Sequence, residues 1–221
     1  MSENSKHSRL PTRNSIYYPV FLDISEKPCL VVGGGKVAER KVNMLLKFGG
    51  TVNVVSPRVS SGIKNLAAKG KIHLTEKEYD SGDLEGVALV FAATNGERIN
   101  QKIHLDARQR NIPVNVVDNP FLCDFIVPSV VKKDPIVVAI STSGMLPFLA
   151  KRLRKDIAGH ITRDYARYAR IVGRLRRLII TTVKDRQERQ NLMRQIASHD
   201  MGEINGMGFS KAKDIFLGSK R

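Results

Sequence analysis

At 221 residues, 42% of them hydrophobic, the chain is long enough to bury one substantial core with a smaller satellite unit. No apolar run approaches the roughly 18 residues of a membrane-spanning helix, and the polar start MSENSKHSRLPTRNS lacks the apolar stretch of a secretory signal. Its two cysteines, Cys29 and Cys123, make neither a disulfide framework nor a metal-ligand spacing, so a reducing cytoplasm is expected and no metal site is. The net charge of +16 is lopsided: residues 151–221 carry 18 Lys and Arg against 7 Asp and Glu, a field that draws nucleic acid, a membrane surface or a small molecule with many carboxylates.

Residues 29–32 are a short apolar run, and residues 36–48 have helical spacing, with Val37, Met44, Leu45 and Phe48 on one side and Gly49-Gly50 as the stop. Residues 51–55 read as a β-branched strand, 60–69 as a helix and 72–75 as a third strand. ALVFAATN, residues 88–95, reads as a buried strand ending in small and polar residues; a helix from Glu97 to Arg110 and a fifth strand at 114–117 follow. Such alternation predicts a parallel sheet covered by helices on both faces. Beyond Asp118 two apolar β-type runs joined by Lys-Lys-Asp-Pro leave no room for a crossover helix, so residues 125–142 read as a hairpin. From Leu149 the chain is helical and basic, and the glycine-dotted stretch 201–221 is expected to fray or pack loosely. The expected units are 14–118, 119–155 and 156–221.

In LVVGGGKVAERK, residues 30–41, Gly33, Gly35 and Ala38 fit G-x-G-x-x-G/A between a strand and a helix, the context of a dinucleotide-binding turn in a Rossmann-like α/β domain. The helix N-terminus there offers unpaired N–H groups to a pyrophosphate. The acid usually found about 20 residues on is missing, because the second strand ends Val54-Val55-Ser56-Pro57-Arg58. The residues alone therefore lean to NADP, with Arg58 facing a 2′-phosphate, or to NAD with Ser56 on the ribose; a methyltransferase reading is weakened. Ala93 and Thr94 suit the crevice at the strand ends, or simply a turn.

Asp118, in NVVDNP, leaves the fifth strand on the edge that holds the glycine turn, where it would act as a general base or merely cap a turn. No Tyr-x-x-x-Lys pair, G-x-S-x-G elbow or Walker loop is present, and His73, His104 and His160 are isolated from one another. STSG, residues 141–144, either receives an anion at the next helix N-terminus or caps it.

Taken in order, YYPVFLDI (17–24), VVGGGKVAERK (31–41), VFAATN (90–95), NVVDNP (115–120), FIVPSVV (125–131), and AISTSG with LPFLAKRLR (139–154) resemble the precorrin-2 dehydrogenase family, the module that also forms the N-terminal half of bacterial siroheme synthase. The resemblance implies a Rossmann-like domain, a hairpin dimerisation unit and a helical domain. It implies oxidation of precorrin-2 to sirohydrochlorin with NAD, in some members followed by insertion of ferrous iron, bound only transiently. It assigns Asp118 to catalysis and places cofactor contacts at Lys36, Val37, Pro57 and Arg58. It also implies a homodimer with a small-molecule substrate and neither membrane nor nucleic acid as partner.

The eight carboxylates of that substrate give the basic part a purpose, with Ser141, Thr142, Lys151, Arg152 and Arg154 as candidate contacts. Two departures stand out: Ser143 replaces the first glycine of the family's S-[ST]-G-G-x-S-P, and Leu146 its second serine. With no room before residue 221 for a methyltransferase half, another protein is expected to supply precorrin-2. The competing reading is a non-catalytic nucleotide-sensing module whose basic helices bind a partner or nucleic acid.

Overall fold

The computed structural model describes residues 17–218 and divides at Val127/Pro128 into two compact units. The polar N-terminal stretch, residues 1–16, and the last three residues lie outside the described part.

In the first unit, β1 (Pro28–Val32), α1 (Lys36–Lys47), β2 (Thr51–Val55), α2 (Ser61–Ala68), β3 (His73–Thr75), β4 (Leu89–Ala92), α3 (Glu97–Gln109) and β5 (Val114–Val116) alternate as the sequence predicts. The five strands are parallel in the order β3-β2-β1-β4-β5. The strand order reverses direction between β1 and β4, the switch point at whose carboxyl edge ligands collect in such sheets.

Side chains alternate across the sheet. Leu30, Val32, Val55, Val90, Ala92, Val114 and Val116 pack with Ile103 and Ala107 of α3. Cys29, Val31, Val52, Val54, Leu89 and Phe91 pack with Ala38, Val42 and Leu45 of α1 and Ile63 of α2. Both faces are therefore covered, which explains why the strands read as near-continuous apolar runs.

The expected boundary after Asp118 moves to Val127, because residues 119–127 fold back on β5. Asp124 holds Val114 at both ends: its N–H donates to the Val114 carbonyl (2.9 Å) and its carboxylate accepts from the Val114 N–H (3.1 Å). Asn115 Nδ2 donates to the Phe125 carbonyl at 2.9 Å, and Phe125 meets Phe91 edge-on at 5.5 Å.

The second unit joins the hairpin and the helices in one body. It comprises β6 (Ser129–Lys133), β7 (Ile136–Ile140), α4 (Pro147–His160), α5 (Arg163–Thr182), α6 (Arg186–Ser198) and α7 (Met201–Leu217). The strands pair antiparallel, and Lys133 Nζ donates to the carbonyls of Ala158 and Ile161 at the end of α4. Ile171, Leu175 and Ile179 of α5 form the helical core with Ile196 of α6 and Ile204, Ala212 and Phe216 of α7.

The expectation of a loose tail is corrected here. An Asp200/Glu203 capping box starts α7, Gly208 (φ +69°) kinks it, and its apolar residues on either side of the kink reach the core. Ile204→Ala should cost about 2–4 kcal/mol in denaturant unfolding of the chain; an unchanged midpoint would return α7 to a loosely packed tail.

Candidate active site

The glycine turn is built by close approach of backbones. Gly33 adopts φ +123°, donates its N–H to the Val55 carbonyl at 2.9 Å, and sits where any Cβ would overlap the Ala93 carbonyl. A Cβ on Gly34 would overlap the Arg58 carbonyl and crowd Val59, and the Gly34 carbonyl accepts from the Ser60 N–H at 2.8 Å. Gly35 is the N-cap of α1 in extended conformation, with open space beyond its Cα. The glycine most tightly confined by protein is thus Gly34, which the sequence pattern leaves as any residue.

Ala38 is fully buried, as its place in the motif requires. No side chain caps α1, so the N–H groups of Lys36, Val37 and Ala38 have no partner within the helix and add to its positive end. The carboxylate of Glu39, in the first turn of α1, is drawn instead toward α2. It accepts from Ser60 Oγ at 2.6 Å and occupies the space left by Gly62. An outward-facing Gly35, uncapped N–H groups and a first-turn acid engaged elsewhere fit a dinucleotide pyrophosphate.

The other strand ends complete the edge. After β2, Ser56 is only 7% exposed; its hydroxyl donates to the Arg58 carbonyl at 2.8 Å and its N–H to the Thr75 carbonyl at 3.2 Å. That clasp leaves Pro57 and Arg58 as the exposed groups of the turn. After β4, Ala93 donates its N–H to the Val32 carbonyl at 2.8 Å, and Thr94 is locked by Asn100 of α3. Thr94 Oγ1 donates to Asn100 Oδ1 at 2.7 Å and accepts from the Gly96 N–H, while Asn100 Nδ2 returns a bond to the Thr94 carbonyl at 3.1 Å. Asn100 escapes sequence reasoning because a polar residue in a helix looks like surface; here it is buried.

After β5, the Val117 N–H extends the ladder to the Ala92 carbonyl at 2.9 Å, which delivers Asp118 to the same edge. Asp118 is exposed and left-handed, φ +60°, a conformation that a non-glycine residue adopts at a cost of order 1–3 kcal/mol. Burial holds the amine of Lys41, on α1, below the usual lysine range; the Arg40 charge adds to the effect, and Cys123 and Asp118 oppose it. The first unit thus brings Gly33, Gly35, Lys36, Val37, Ser56, Pro57, Arg58, Ala93, Thr94 and Asp118 to one carboxyl edge of the sheet.

The remaining candidates lie in the second unit. Ser141 Oγ accepts from the Ser143 N–H at 2.9 Å and Thr142 Oγ1 from the Leu146 N–H at 3.1 Å, so both hydroxyls organise the turn before α4. Lys151 and Arg152 are exposed and Arg154 half-buried on α4; Arg152 and Arg154, two positions apart, do not share a face. A more regular basic surface is on α5, where Arg163, Arg167, Arg170, Arg174 and Arg177 recur at three and four spacing and are all exposed. Among the described residues, no group of three or more His, Cys, Asp or Glu is placed to hold a metal ion, and no helix is long and apolar enough to cross a membrane.

Residues 20–129 match a family described as "Putative NAD(P)-binding". The siroheme synthase of Vesicomyosocius okutanii is 42% identical over 72% of this chain and 34% of its own length, and that of Methylobacillus flagellatus is 39% identical over 84% and 40%. A solved structure named "SirC, precorrin-2 dehydrogenase" is similar with a TM-score of 0.70 at 27% identity, covering 91% of this chain and 97% of that one. The chain belongs to the family of siroheme synthase N-terminal modules. It spans 34% and 40% of the length of the two siroheme synthases. In its glycine turn Gly33 and Gly34 serve the protein's packing and Gly35 faces outward.

Two substitutions test this division. Gly34→Ala should destabilise the module by about 1–3 kcal/mol by overpacking, whereas Gly35→Ala should unfold as wild type but lose much of the rise in melting temperature that NAD produces. Equal losses of stability would contradict the assignment. At Ser143, which has φ +53° where the family pattern has glycine, Ser143→Gly should add about 1 kcal/mol in denaturant unfolding; a loss would mean that the serine contributes more than its backbone costs.

Proposed function

We propose that the module oxidises precorrin-2 to sirohydrochlorin, with NAD as hydride acceptor, on the route to siroheme in the cytoplasm. The observation that carries this reading is the placement of Asp118, a left-handed acid directly past β5 on the edge that holds the glycine turn. The likeness to a precorrin-2 dehydrogenase over 97% of that protein supports the choice of substrate.

The turn Gly33–Val37 would hold the pyrophosphate, Pro57, Arg58 and the oxygen of Ser56 the adenosine end, and Ala93 with Thr94 the floor of the crevice. Bound NAD supplies the hydride acceptor. Loss of a hydride from the substrate leaves a cation, and a neighbouring proton must depart for the new double bond to form. Asp118 takes that proton, a general-base role within reach of its exposed carboxylate.

Taken by itself, the second unit offers Lys151, Arg152, Arg154 and the exposed α5 arginines as donors suited to charge-assisted pairs with carboxylates. Ser141 and Thr142 hold that region's turn in shape. Homodimerisation through the second unit is supported by a two-stranded hairpin with no further strand paired to it among the described residues, and by exposed Met145 and Phe148 beside it. Ferrous iron, where inserted, would be a substrate that sheds its water as the two pyrrole protons leave in turn, Asp118 taking each and passing it on to water.

Asp118→Asn should reduce anaerobic NADH formation from precorrin-2 and NAD by roughly 10²–10⁴-fold while leaving NAD affinity intact; wild-type turnover would refute the role. The same variant given sirohydrochlorin and ferrous iron should be slow as well. Salt-sensitive DNA binding by folded protein that forms no NADH would favour the nucleotide-sensing alternative.

A further inference from the structure

Asp118 takes the third place of a tight turn from Val116 to Asn119, closed by the Asn119 N–H donating to the Val116 carbonyl at 3.3 Å. A left-handed third residue in such a turn is normally glycine or asparagine, whereas here an aspartate adopts φ +60°. Backbone of that kind persists only where its surroundings over-determine it. On the side of the sheet the turn is fixed by the Val117 N–H, which reaches the Ala92 carbonyl of β4.

The opposite side belongs to Cys123. Because β5 is the last strand of the sheet, the Val116 N–H on its free edge has no strand to meet, and it donates instead to Cys123 Sγ at 3.2 Å. The same sulfur lies 3.2 Å from the Val116 carbonyl and 3.3 Å from the Asn119 carbonyl, so its S–H is given to the first or the last residue of the turn. Asn115 Nδ2 adds a longer contact at 3.5 Å. Bonds to sulfur are individually weak, but these converge on one atom that spans the turn from outside. Cys123 is itself held on both sides: the Leu122 carbonyl accepts from Nδ1 of the buried His104 at 3.0 Å, and Asp124 is bonded to Val114 through both its N–H and its carboxylate.

We propose that Cys123 is the positioning residue for Asp118: its thiol clamps the two ends of the Val116–Asn119 turn and so keeps the acid left-handed and exposed at the carboxyl edge of the sheet. The inference rests on the assignment of Asp118 as proton acceptor. The thiol takes no part in the transfer of hydride or proton. Cys123 also packs against the core formed with α3, a place that alanine or valine would fill without reaching the turn. Without the sulfur the turn relaxes toward the right-handed backbone that a non-glycine residue prefers, and Asp118 leaves its position.

The test compares Cys123→Ala, Cys123→Val, Cys123→Ser and the double variant Cys123→Ala/Asp118→Asn in the full chain, measuring melting temperature, NAD affinity and anaerobic NADH formation from precorrin-2. Cys123→Ala should bind NAD as wild type does and keep its KM for precorrin-2, yet lose roughly 10- to 100-fold in kcat. Cys123→Val, which fills the space without either bond, should lose as much, and it carries the comparison if the alanine variant does not fold. Cys123→Ser, whose hydroxyl can still accept and donate, should keep most of the wild-type kcat. Added to Asp118→Asn, the alanine substitution should cost no further activity, because it acts through that residue. Wild-type kcat in the folded alanine or valine variant overturns the positioning role and leaves the base assignment standing; so does a loss that multiplies undiminished onto that of Asp118→Asn. A loss confined to melting temperature or NAD affinity overturns it as well, since Cys123 would then serve only the fold. Full turnover by Asp118→Asn alone overturns both assignments.

Discussion

Two glycines with no room for a Cβ determine where everything else in the first unit can be. The β1–α1 turn lies so close to the β4 end and to the β2–α2 loop that Gly33 meets the Ala93 carbonyl and Gly34 the Arg58 carbonyl, backbone against backbone. That contact knits three strand ends into one floor. It sets the N-terminus of α1 over the floor, and it leaves Gly35 as the glycine that faces outward. The β4–β5 ladder continues one step beyond the strands, through Val117, and so brings Asp118 to the same edge. The glycine turn and an acid from a distant part of the chain reach the same edge through main-chain geometry alone, the usual logic of an open parallel sheet.

The second unit follows a different principle, in which an apolar stripe and a basic stripe share one helix. On α5, Ile171, Leu175 and Ile179 face α6 and α7, while arginines at three and four spacing face out. Two of these are steadied from within the unit: Arg170 donates to the Asp134 carbonyl at 2.9 Å, and the Arg174 guanidinium stacks 3.5 Å above Phe209. Fixing guanidinium groups before a ligand arrives lowers the entropy lost on binding, which suits recognition of a substrate with many carboxylates.

Much of this was legible in the sequence, because hydrophobic periodicity and glycine punctuation are local signals. The strand at Thr51–Val55 and the helix starts at Lys36 and Glu97 match their expected positions, and NVVDNP placed Asp118 where the chain leaves the sheet. What stayed hidden depends on partners far away in the chain. Gly34 matters because of Arg58, and Asn100 because of Thr94. The stretch 201–221 looks loose for another reason: its glycines lower the apparent helical propensity, whereas the Asp200-x-x-Glu203 capping box starts a helix that runs to Leu217.

In the proposed reaction this edge removes a hydride and a proton from one tetrapyrrole. That reaction is tested most directly by anaerobic incubation of the wild-type chain with precorrin-2 and an equal amount of NAD, following NADH and sirohydrochlorin together. The two products should rise at the same rate and in equal amounts. Folded, NAD-binding protein that forms neither, or sirohydrochlorin formed at the same rate without NAD, would contradict it.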